Sequence, residues 1–222
     1  NCSTAALISE KGAIEWLCFP EFDSPSVFAA ILDRQKGGHF GFKVTSDYKV
    51  TQSYVPHTNI LSTHFESEEG AFDVVDFMPC YPTSDGKDFY RPAEIYRYIR
   101  WAKGRPRMKV DYRPAPNYAR GKTIYNVTSQ YVETYSSVEN KDRQYLYSSL
   151  DLKKVVNHDE ITLEKDEFFL FSFNEKVIPV DIEREKLEYC RTLVYWLNWT
   201  DHAKRYTRYN EVIERSMLVL KL

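Results

Sequence analysis

A succession of short β-type segments fills the first 173 residues and limits the fold more than any other feature of the sequence. The segments are rich in β-branched and aromatic residues and are separated by turn signals, a pattern typical of strands. Strands are predicted at 4–9, 14–18, 39–44, 49–55, 60–66, 72–78, 94–102, 108–113, 123–128, 131–136, 145–150 and 168–173. Because the connections are short and no regular strand–helix alternation is visible, this pattern predicts a mainly β fold, an antiparallel sandwich.

One early segment, from Phe22 to Phe28, interrupts the strand pattern. Ser24 is a favourable N-cap residue, and Pro25 suits the first helical position because its missing N–H has no partner there. A short helix from this point to about Asp33 is therefore predicted, ending before the glycine pair at 37–38.

After Pro179 the pattern changes to helical spacing. Asp181 is the expected cap of a helix, and a second helix is expected to begin near Asn210, giving predicted helices at 181–205 and 210–222. The apolar positions that define them are Leu187, Cys190, Val194 and Leu197 in the first and Ile213, Met217 and Leu220 in the second. The second helix reaches Leu222 without a glycine, a proline or a polar cap, so we expect it to continue in the native protein.

Charge and hydropathy exclude two classes of binding partner. The net charge of -2 provides no excess of Lys and Arg for binding nucleic acid. No apolar run approaches the roughly 20 residues that span a bilayer, and the N-terminus lacks the basic and apolar regions of a signal peptide. We therefore expect a cytoplasmic protein with neither nucleic acid nor membrane among its partners.

The cysteines and histidines indicate no metal site. Cys2, Cys18, Cys80 and Cys190 are widely spaced, which predicts buried thiols in a reducing compartment rather than zinc ligands or a disulfide framework. The five histidines show no metal-ligand spacing either. No cofactor and no metal are predicted.

Aromatic and acidic residues are abundant, and each set has two interpretations. The 17 tyrosines include a strand with Tyr96, Tyr98 and Trp101, which suits either core packing or a sugar-binding platform. Two carboxylates facing each other across a cleft would indicate a glycosidase, but sequence alone does not pair them. Glu183, Glu185 and Glu188 suit the first turns of the predicted helix, where negative charge complements the helix dipole.

Several blocks of the sequence resemble one enzyme family. Residues 4–28 read TAALISEKGAIEWLCFPEFDSPSVF, and this block closely resembles the opening of the bacterial and archaeal glucoamylase and trehalase-like proteins of glycoside hydrolase family 15. Similar blocks follow in order: YVPHTNIL at 54–61, DFMP at 76–79, YWLNW at 195–199 and RSMLVLKL at 215–222. Glu21 stands where many relatives have arginine and His57 where a glycine or small polar residue is usual, which leaves the substrate subclass open.

The resemblance implies a layout and a reaction. It implies an N-terminal super-β-sandwich at 1–178, a helical linker at 179–209, and at 210–222 the start of the first helix of a catalytic (α/α)6 barrel. Family members hydrolyse α-glucosidic bonds with inversion, using two barrel glutamates about 6.5–9.5 Å apart. Neither motif for these glutamates occurs here, so the resemblance implies a noncatalytic domain that supports and partly walls the barrel and is inactive alone.

The loop that follows the second predicted strand is the candidate substrate-binding element. It carries Trp16 and Asp23 and is held at both ends, as a site-lining element should be. In this interpretation Asp23 hydrogen-bonds a sugar hydroxyl or a barrel loop, and Trp16 packs beside an outer sugar subsite. In the alternative interpretation Asp23 supports the helix that follows, while Trp16 and Phe22 fill the sandwich core.

Two further functions and several partners remain open at this stage. The chain also suits the N-terminal domain of a related disaccharide phosphorylase, or an autonomous carbohydrate-binding module. Expected partners are the C-terminal catalytic domain, an α-glucoside or trehalose in the full-length protein, and a second copy through exposed C-terminal helices. The linker and barrel-start helices are expected to leave four apolar side chains poorly covered: Leu193, Trp196, Val219 and Leu220.

Overall fold

The computed structural model describes residues 1–45, 47–138, 141–178, 180–204 and 208–222. These residues form 16 strands and three helices. The strands are β1 (Leu7–Ile8), β2 (Ile14–Cys18), β3 (Ser26–Ala29), β4 (His39–Lys43), β5 (Lys49–Tyr54), β6 (Leu61–Ser67), β7 (Gly70–Phe77), β8 (Tyr81–Pro82), β9 (Phe89–Tyr90), β10 (Glu94–Gly104), β11 (Arg107–Arg113), β12 (Thr123–Val127), β13 (Val132–Ser136), β14 (Gln144–Ser148), β15 (Glu160–Thr162) and β16 (Glu167–Phe173). The helices are α1 (Leu152–Asn157), α2 (Ile182–Asp201) and α3 (Asn210–Lys221).

Within the described residues, the strands form two large antiparallel sheets and one small ribbon. The smaller of the two has six strands in the order β1-β2-β4-β11-β15, with β3 also paired to β2. The larger has eight strands in the order β12-β13-β14-β16-β10-β7-β6-β5, and β8 pairs with β9 in the ribbon. The predicted mainly β, antiparallel fold is confirmed.

The core lies between the two large sheets. Phe28 and Phe40 of the smaller sheet meet Phe171 and Phe169 of the larger, with ring centroids 5.6 and 5.3 Å apart. All four side chains are fully buried. The sandwich therefore rests on interdigitated aromatic rings, which account for much of the aromatic content.

The central strands of the larger sheet are buried on both faces, and β16 shows this most clearly. Phe169 and Phe171 face the inter-sheet core, while Phe168 and Leu170 join a second apolar cluster on the opposite face. Helices α2 and α3 cover that second face, with Trp196 and Leu218 in the cluster. A strand buried on both faces reads as a continuous apolar run, as β16 does.

The second cluster also decides the interpretation of the tyrosine-rich strand. Tyr96 and Tyr98 of β10 are 1% and 8% exposed and lie under α2, so both have a packing role. Trp101, at the far end of β10, is half-exposed, and its indole N–H donates to the carbonyl of Gly104. Gly104 makes the β10–β11 turn at φ +69°, where a Cβ would lie 2.3 Å from the carbonyl oxygen of Glu69.

The helix predicted from Ser24 to Asp33 is wrong. Residues Ser26–Ala29 form β3, which pairs antiparallel with β2 and is buried throughout. The Ser24 hydroxyl accepts from the backbone N–H of Glu21, which lies before it, rather than from a following helical N–H. Sheet pairing and burial of Val27 and Phe28 outweigh the local capping signal here.

Other short elements escaped prediction because each is only a few residues long: β8, β9, β15 and α1. Helix α1 is capped by Asp151, whose carboxylate accepts from the Lys153 N–H at 2.9 Å, and it ends at His158 in a left-handed conformation.

The prediction that all four cysteines are buried is also wrong. Cys18 and Cys80 are buried, but Cys2 is half-buried and Cys190 is exposed.

Both C-terminal helices are confirmed, although the first is shorter than predicted. The Asp181 carboxylate accepts from the Arg184 N–H at 2.8 Å and caps α2, and α3 begins at Asn210 as predicted. Helix α2 ends at Asp201, and residues 202–204 are not helical. Arg205, the predicted end, and the linker boundary at Pro179 lie outside the described residues. No helix of the described chain is long and apolar enough to cross a membrane.

Candidate functional site

The β2–β3 loop, residues 19–25, is anchored at its base and open at its tip. Phe19 is fully buried in the core, whereas Phe22 is 56% exposed and Asp23 is exposed. The N–H of Phe22 donates to the carbonyl of Ser3 at 3.1 Å, and the N–H of Ser24 donates to the carbonyl of Glu21. The interpretation that Phe22 fills the core and Asp23 supports a helix is therefore wrong.

Trp16 lies beside a left-handed turn that the sequence did not reveal. Its ring is half-buried, 6.4 Å from the ring of Tyr118. Asn117, Tyr118 and Ala119 have φ values of +55°, +54° and +56° in succession. Each non-glycine residue in this region costs roughly 1–2 kcal/mol, and such strain concentrates at functional sites.

Trp16 lies in β2, and Asp23 lies in the loop that follows it. No hydrogen bond, ion pair or ring contact joins them in the described chain, and Asp23 has no polar partner there. A carboxylate without an internal partner, next to the exposed ring of Phe22, leaves its hydrogen-bonding capacity for a ligand or another domain.

The N-terminal segment, residues 1–4, holds the base of this loop. The Thr4 hydroxyl donates to the carbonyl of Cys18 at 2.7 Å, and the Asn1 amide donates to the carbonyl of Pro92 at 3.0 Å. The Asn1 side-chain oxygen accepts from the N–H groups of Ser3 and Thr4. These long-range bonds were not visible in the sequence.

A second surface of interest is the outer face of α2. Leu187, Val194 and Leu197 are 48%, 55% and 39% exposed, and Cys190 is exposed as well. These four residues recur at helical spacing, and together we call them the outer stripe.

The four apolar residues expected to be poorly covered divide into two groups. On α3, Val219 and Leu220 are 54% and 87% exposed, which confirms the expectation. The expectation is wrong for Trp196, which is 2% exposed because it packs on Tyr195 and Trp199 against the larger sheet. Leu193 is partly buried in the same cluster.

The inner face of α2 buries two carboxylates beside the rings of Tyr195 and Trp196. Glu188 accepts from the Tyr81 hydroxyl at 2.7 Å and pairs with Arg191. Glu185 is 1% exposed, and neither of its oxygens has a partner in the described chain. Burial, reinforced by the nearby acidic groups Asp76, Glu94 and Glu188, raises the pKa of Glu185 well above its ordinary value. Only Glu183 is solvated, as the helix-dipole interpretation expected.

A buried ion pair lies within the larger sheet, and its arginine also bonds to the smaller sheet. The Arg97 guanidinium of β10 bonds to Asp76 at 2.7 Å and donates to the carbonyls of Gly12 and Phe40. It lies 4.7 Å from the centre of the Phe40 ring. Every bond of this pair lies inside the sandwich, which indicates a structural role.

A polar cluster surrounds Asp111 on the outer face of the smaller sheet. Its carboxylate bonds to His39 and Lys43 at 2.8 Å and to Arg113 at 2.6 Å. Burial opposes ionisation of Asp111, but these three donors prevail and hold its pKa well below the usual range. Among the described residues, no group of three or more His, Cys, Asp or Glu side chains is arranged to hold a metal ion.

These features define an antiparallel β-sandwich domain with two helices on the outer face of its larger sheet and one exposed loop at the end of β2. Comparison with known sequences refines this class. The chain belongs to the family described as trehalase-like, N-terminal, whose sequence profile matches residues 1–140. The match confirms the resemblance to trehalase-like proteins that residues 4–28 and the later blocks indicated.

Curated relatives support the same assignment. The trehalase of Thermoplasma acidophilum is 29% identical over 97% of this chain and 37% of its own length. Trehalase 2 of Sulfolobus acidocaldarius is 27% identical over 99% of this chain and 36% of its own length. Trehalase 1 of the same organism is 49% identical over 36% of this chain and 14% of its own length. The chain thus spans little more than a third of the first two relatives, and no solved structure matches it significantly.

Proposed function

We propose that this chain is the noncatalytic N-terminal domain of an inverting glycoside hydrolase that acts on trehalose or a related α-glucoside. The family match and the relatives named trehalase support the substrate class. In this proposal residues 1–178 form the sandwich domain, residues 179–209 the linker, and residues 210–222 the start of an (α/α)6 catalytic domain that carries both catalytic glutamates. The chain supports that domain and partly walls its site.

The exposed apolar surface of the C-terminal helices carries this proposal. The outer stripe and the α3 residues Val219 and Leu220 present apolar groups to water, while α2 turns Glu185 and Glu188 inward. A helix in a complete fold usually buries its apolar face, so this arrangement favours a further protein surface over the stripe. About two thirds of the relatives' length lies outside the part that this chain matches. The catalytic domain in that remainder is the proposed occupant of this surface.

Substitution of the outer stripe in the full-length protein tests the docking. Val194→Asp leaves the stability of the present chain unchanged, because the side chain is 55% exposed. In the full-length protein the same charge is buried at the domain contact, so the melting temperature and trehalose hydrolysis both fall. Leu32→Asp is the matched control, since Leu32 is 69% exposed on the β3–β4 turn.

Two outcomes of this experiment contradict the docking. If the full-length Val194→Asp protein is as stable and active as wild type, the catalytic domain does not dock on the outer stripe. If the present chain sediments as a dimer and Val194→Asp makes it a monomer, the occupant is a second copy.

The β2–β3 loop is proposed to line the substrate site, with Asp23 bonding a sugar hydroxyl or a catalytic-domain loop and Trp16 packing beside an outer subsite. The exposure of Asp23 and its lack of an internal partner in the described chain support this role. Asp23→Ala in the full-length protein is expected to lower kcat/KM at unchanged Tm, whereas Glu21→Ala, two residues away, leaves both unchanged. A lower Tm with normal kinetics would restrict Asp23 to a structural role.

A groove between the β8–β9 ribbon and α2 favours a second candidate, an autonomous carbohydrate-binding module. The groove has a volume of about 820 Å³ and is lined by Tyr81, Tyr90, Arg191 and Asn198. Aromatic faces beside polar groups suit sugars.

Calorimetric titration of the present chain with trehalose and maltotriose separates the two candidate functions. Binding that Tyr90→Ala abolishes supports the module, and no heat of binding supports the domain role.

A further inference from the structure

Two thiols that are distant in the sequence meet beside the N-terminal segment. Cys2 Sγ lies 4.0 Å from Cys80 Sγ, although 78 positions separate the residues. Cys80 follows β7 and is 1% exposed, whereas Cys2 is half-buried and reachable from solvent. Neither sulfur takes part in a disulfide.

The two thiols differ in reactivity. The hydrogen bond with the Cys80 thiol lowers the pKa of Cys2, and burial only partly opposes this effect. The same bond, together with burial, raises the pKa of Cys80. The thiolate is the nucleophile in disulfide exchange, so the exposed Cys2 reacts first and the buried Cys80 follows.

We propose that Cys2 and Cys80 form an oxidation site, which a low-molecular-weight disulfide converts to an intramolecular disulfide. The Cys2 thiolate attacks one sulfur of the small disulfide, forming a mixed disulfide and releasing one small thiolate, which takes up a proton. Cys80 then loses its proton and attacks the Cys2 sulfur, releasing the second small thiol. Two protein thiols are oxidised and one small disulfide is reduced to two thiols, so atoms and electrons balance.

The geometry allows this bond with a small movement. A disulfide needs its sulfurs about 2.0 Å apart, so the present gap must close by about 2 Å. Cys2 belongs to a segment without regular secondary structure, and rotation of a half-buried side chain supplies most of that movement.

The disulfide would secure the base of the β2–β3 loop. Ser3, next to Cys2, accepts the N–H of Phe22, and Thr4 bonds to the carbonyl of Cys18. Linking Cys2 to Cys80 therefore ties this loop to the end of β7, beneath α2. Because the bridge closes a long loop of the unfolded chain, the oxidised form is expected to unfold at a higher temperature.

The test uses the Cys190→Ser chain, which lacks the exposed thiol, and oxidised glutathione as the probe. We expect the intact mass to fall by two hydrogens, peptide mapping to find a Cys2–Cys80 link, and Tm to rise by roughly 5 to 15 °C, reversibly with dithiothreitol. With Cys80→Ser added, the reaction stops at a glutathione adduct on Cys2, and with Cys2→Ser added, Cys80 stays reduced.

Three results would overturn the proposal. One is a stable glutathione adduct on Cys2 while Cys80 is present, and another is a link that includes Cys18. The third is an unmodified chain after prolonged exposure to the probe. Each is read by mass spectrometry of the Cys190→Ser chain, so the result depends neither on the proposed function nor on how well the Cys2→Ser and Cys80→Ser variants fold.

Discussion

Replacing Glu185 with glutamine is expected to stabilise the chain at neutral pH and to change its stability little at pH 4. The side chain is 1% exposed beneath α2, and neither carboxylate oxygen has a partner in the described chain. Burial raises its pKa, and the neighbouring acidic groups Asp76, Glu94 and Glu188 add to that effect. The folded chain therefore keeps a proton on Glu185 up to a higher pH than the unfolded chain does.

The sign and size of the effect follow from proton linkage. Because the folded-state pKa of Glu185 is raised, its carboxyl favours folding least at high pH, and stability falls as pH rises above the ordinary value of 4.5. Each pH unit over which the carboxyl stays protonated in the folded chain but is ionised in the unfolded chain lowers the free energy of unfolding by about 1.4 kcal/mol. Glutamine has the same shape and no charge, so it removes this loss.

Urea denaturation at pH 4, 5.5 and 7 measures the difference. The free energy of unfolding of Glu185→Gln should exceed that of wild type most at pH 7, by less at pH 5.5, and by almost nothing at pH 4. Glu183→Gln is the matched control on the same helix, because Glu183 is exposed and pairs only with Lys186, so its effect should stay below about 1 kcal/mol. A glutamine variant less stable than wild type at pH 7, or a difference independent of pH, would refute the reasoning.

Two further predictions concern the buried charges. Arg97→Ala should lower the free energy of unfolding by about 3–5 kcal/mol in urea, because it leaves Asp76 buried without its partner, whereas Arg100→Ala, which removes an exposed pair, should cost less than about 1 kcal/mol. An equal effect of the two substitutions would contradict the buried-pair argument. Asp111 has a lowered pKa, so its contribution is complete above the ordinary value of 3.8 and is lost as pH falls below it; Asp111→Asn should therefore destabilise the chain at pH 7 and flatten the acid limb of a Tm–pH profile. If the acid limb is unchanged, groups other than Asp111 cause the loss of stability at low pH.

Strand periodicity was readable from the sequence because most strands keep one face in the aromatic core. The strand predicted at 14–18 coincides with β2, and that predicted at 39–44 with β4 to within one residue. The prediction for 26–29 is wrong because Ser24 and Pro25 carry a strong local helix signal, while the strand pairing is made with β2, beyond an intervening loop. Local signals alone do not report such pairing.

The orientation of α2 could not be predicted from its periodicity. The apolar spacing located the outer stripe, but it did not show which face the sandwich buries. The outer face of the larger sheet carries tyrosine hydroxyls, and that of Tyr96 donates to Glu94 and also contacts Arg184 of α2. The buried face of α2 combines such polar contacts with the rings of Tyr195 and Trp196, and the residues of the outer stripe are left outward.

The candidate site was only partly visible in the sequence. Trp16 and Asp23 were placed on one strand–loop segment because they are close in sequence. Tyr118, which packs beside Trp16, and the thiol pair of Cys2 and Cys80 come together only through the fold. Contacts between residues 78 or more positions apart leave no spacing pattern for a single sequence to reveal.

Glucose release from trehalose by the purified chain, measured beside the full-length protein, tests the central claim most directly. We predict turnover by the full-length protein and none by residues 1–222 alone, because the proposed function places both catalytic glutamates in the domain that follows. Steady glucose release by the present chain, abolished by substituting one of its own carboxylates, would contradict the account.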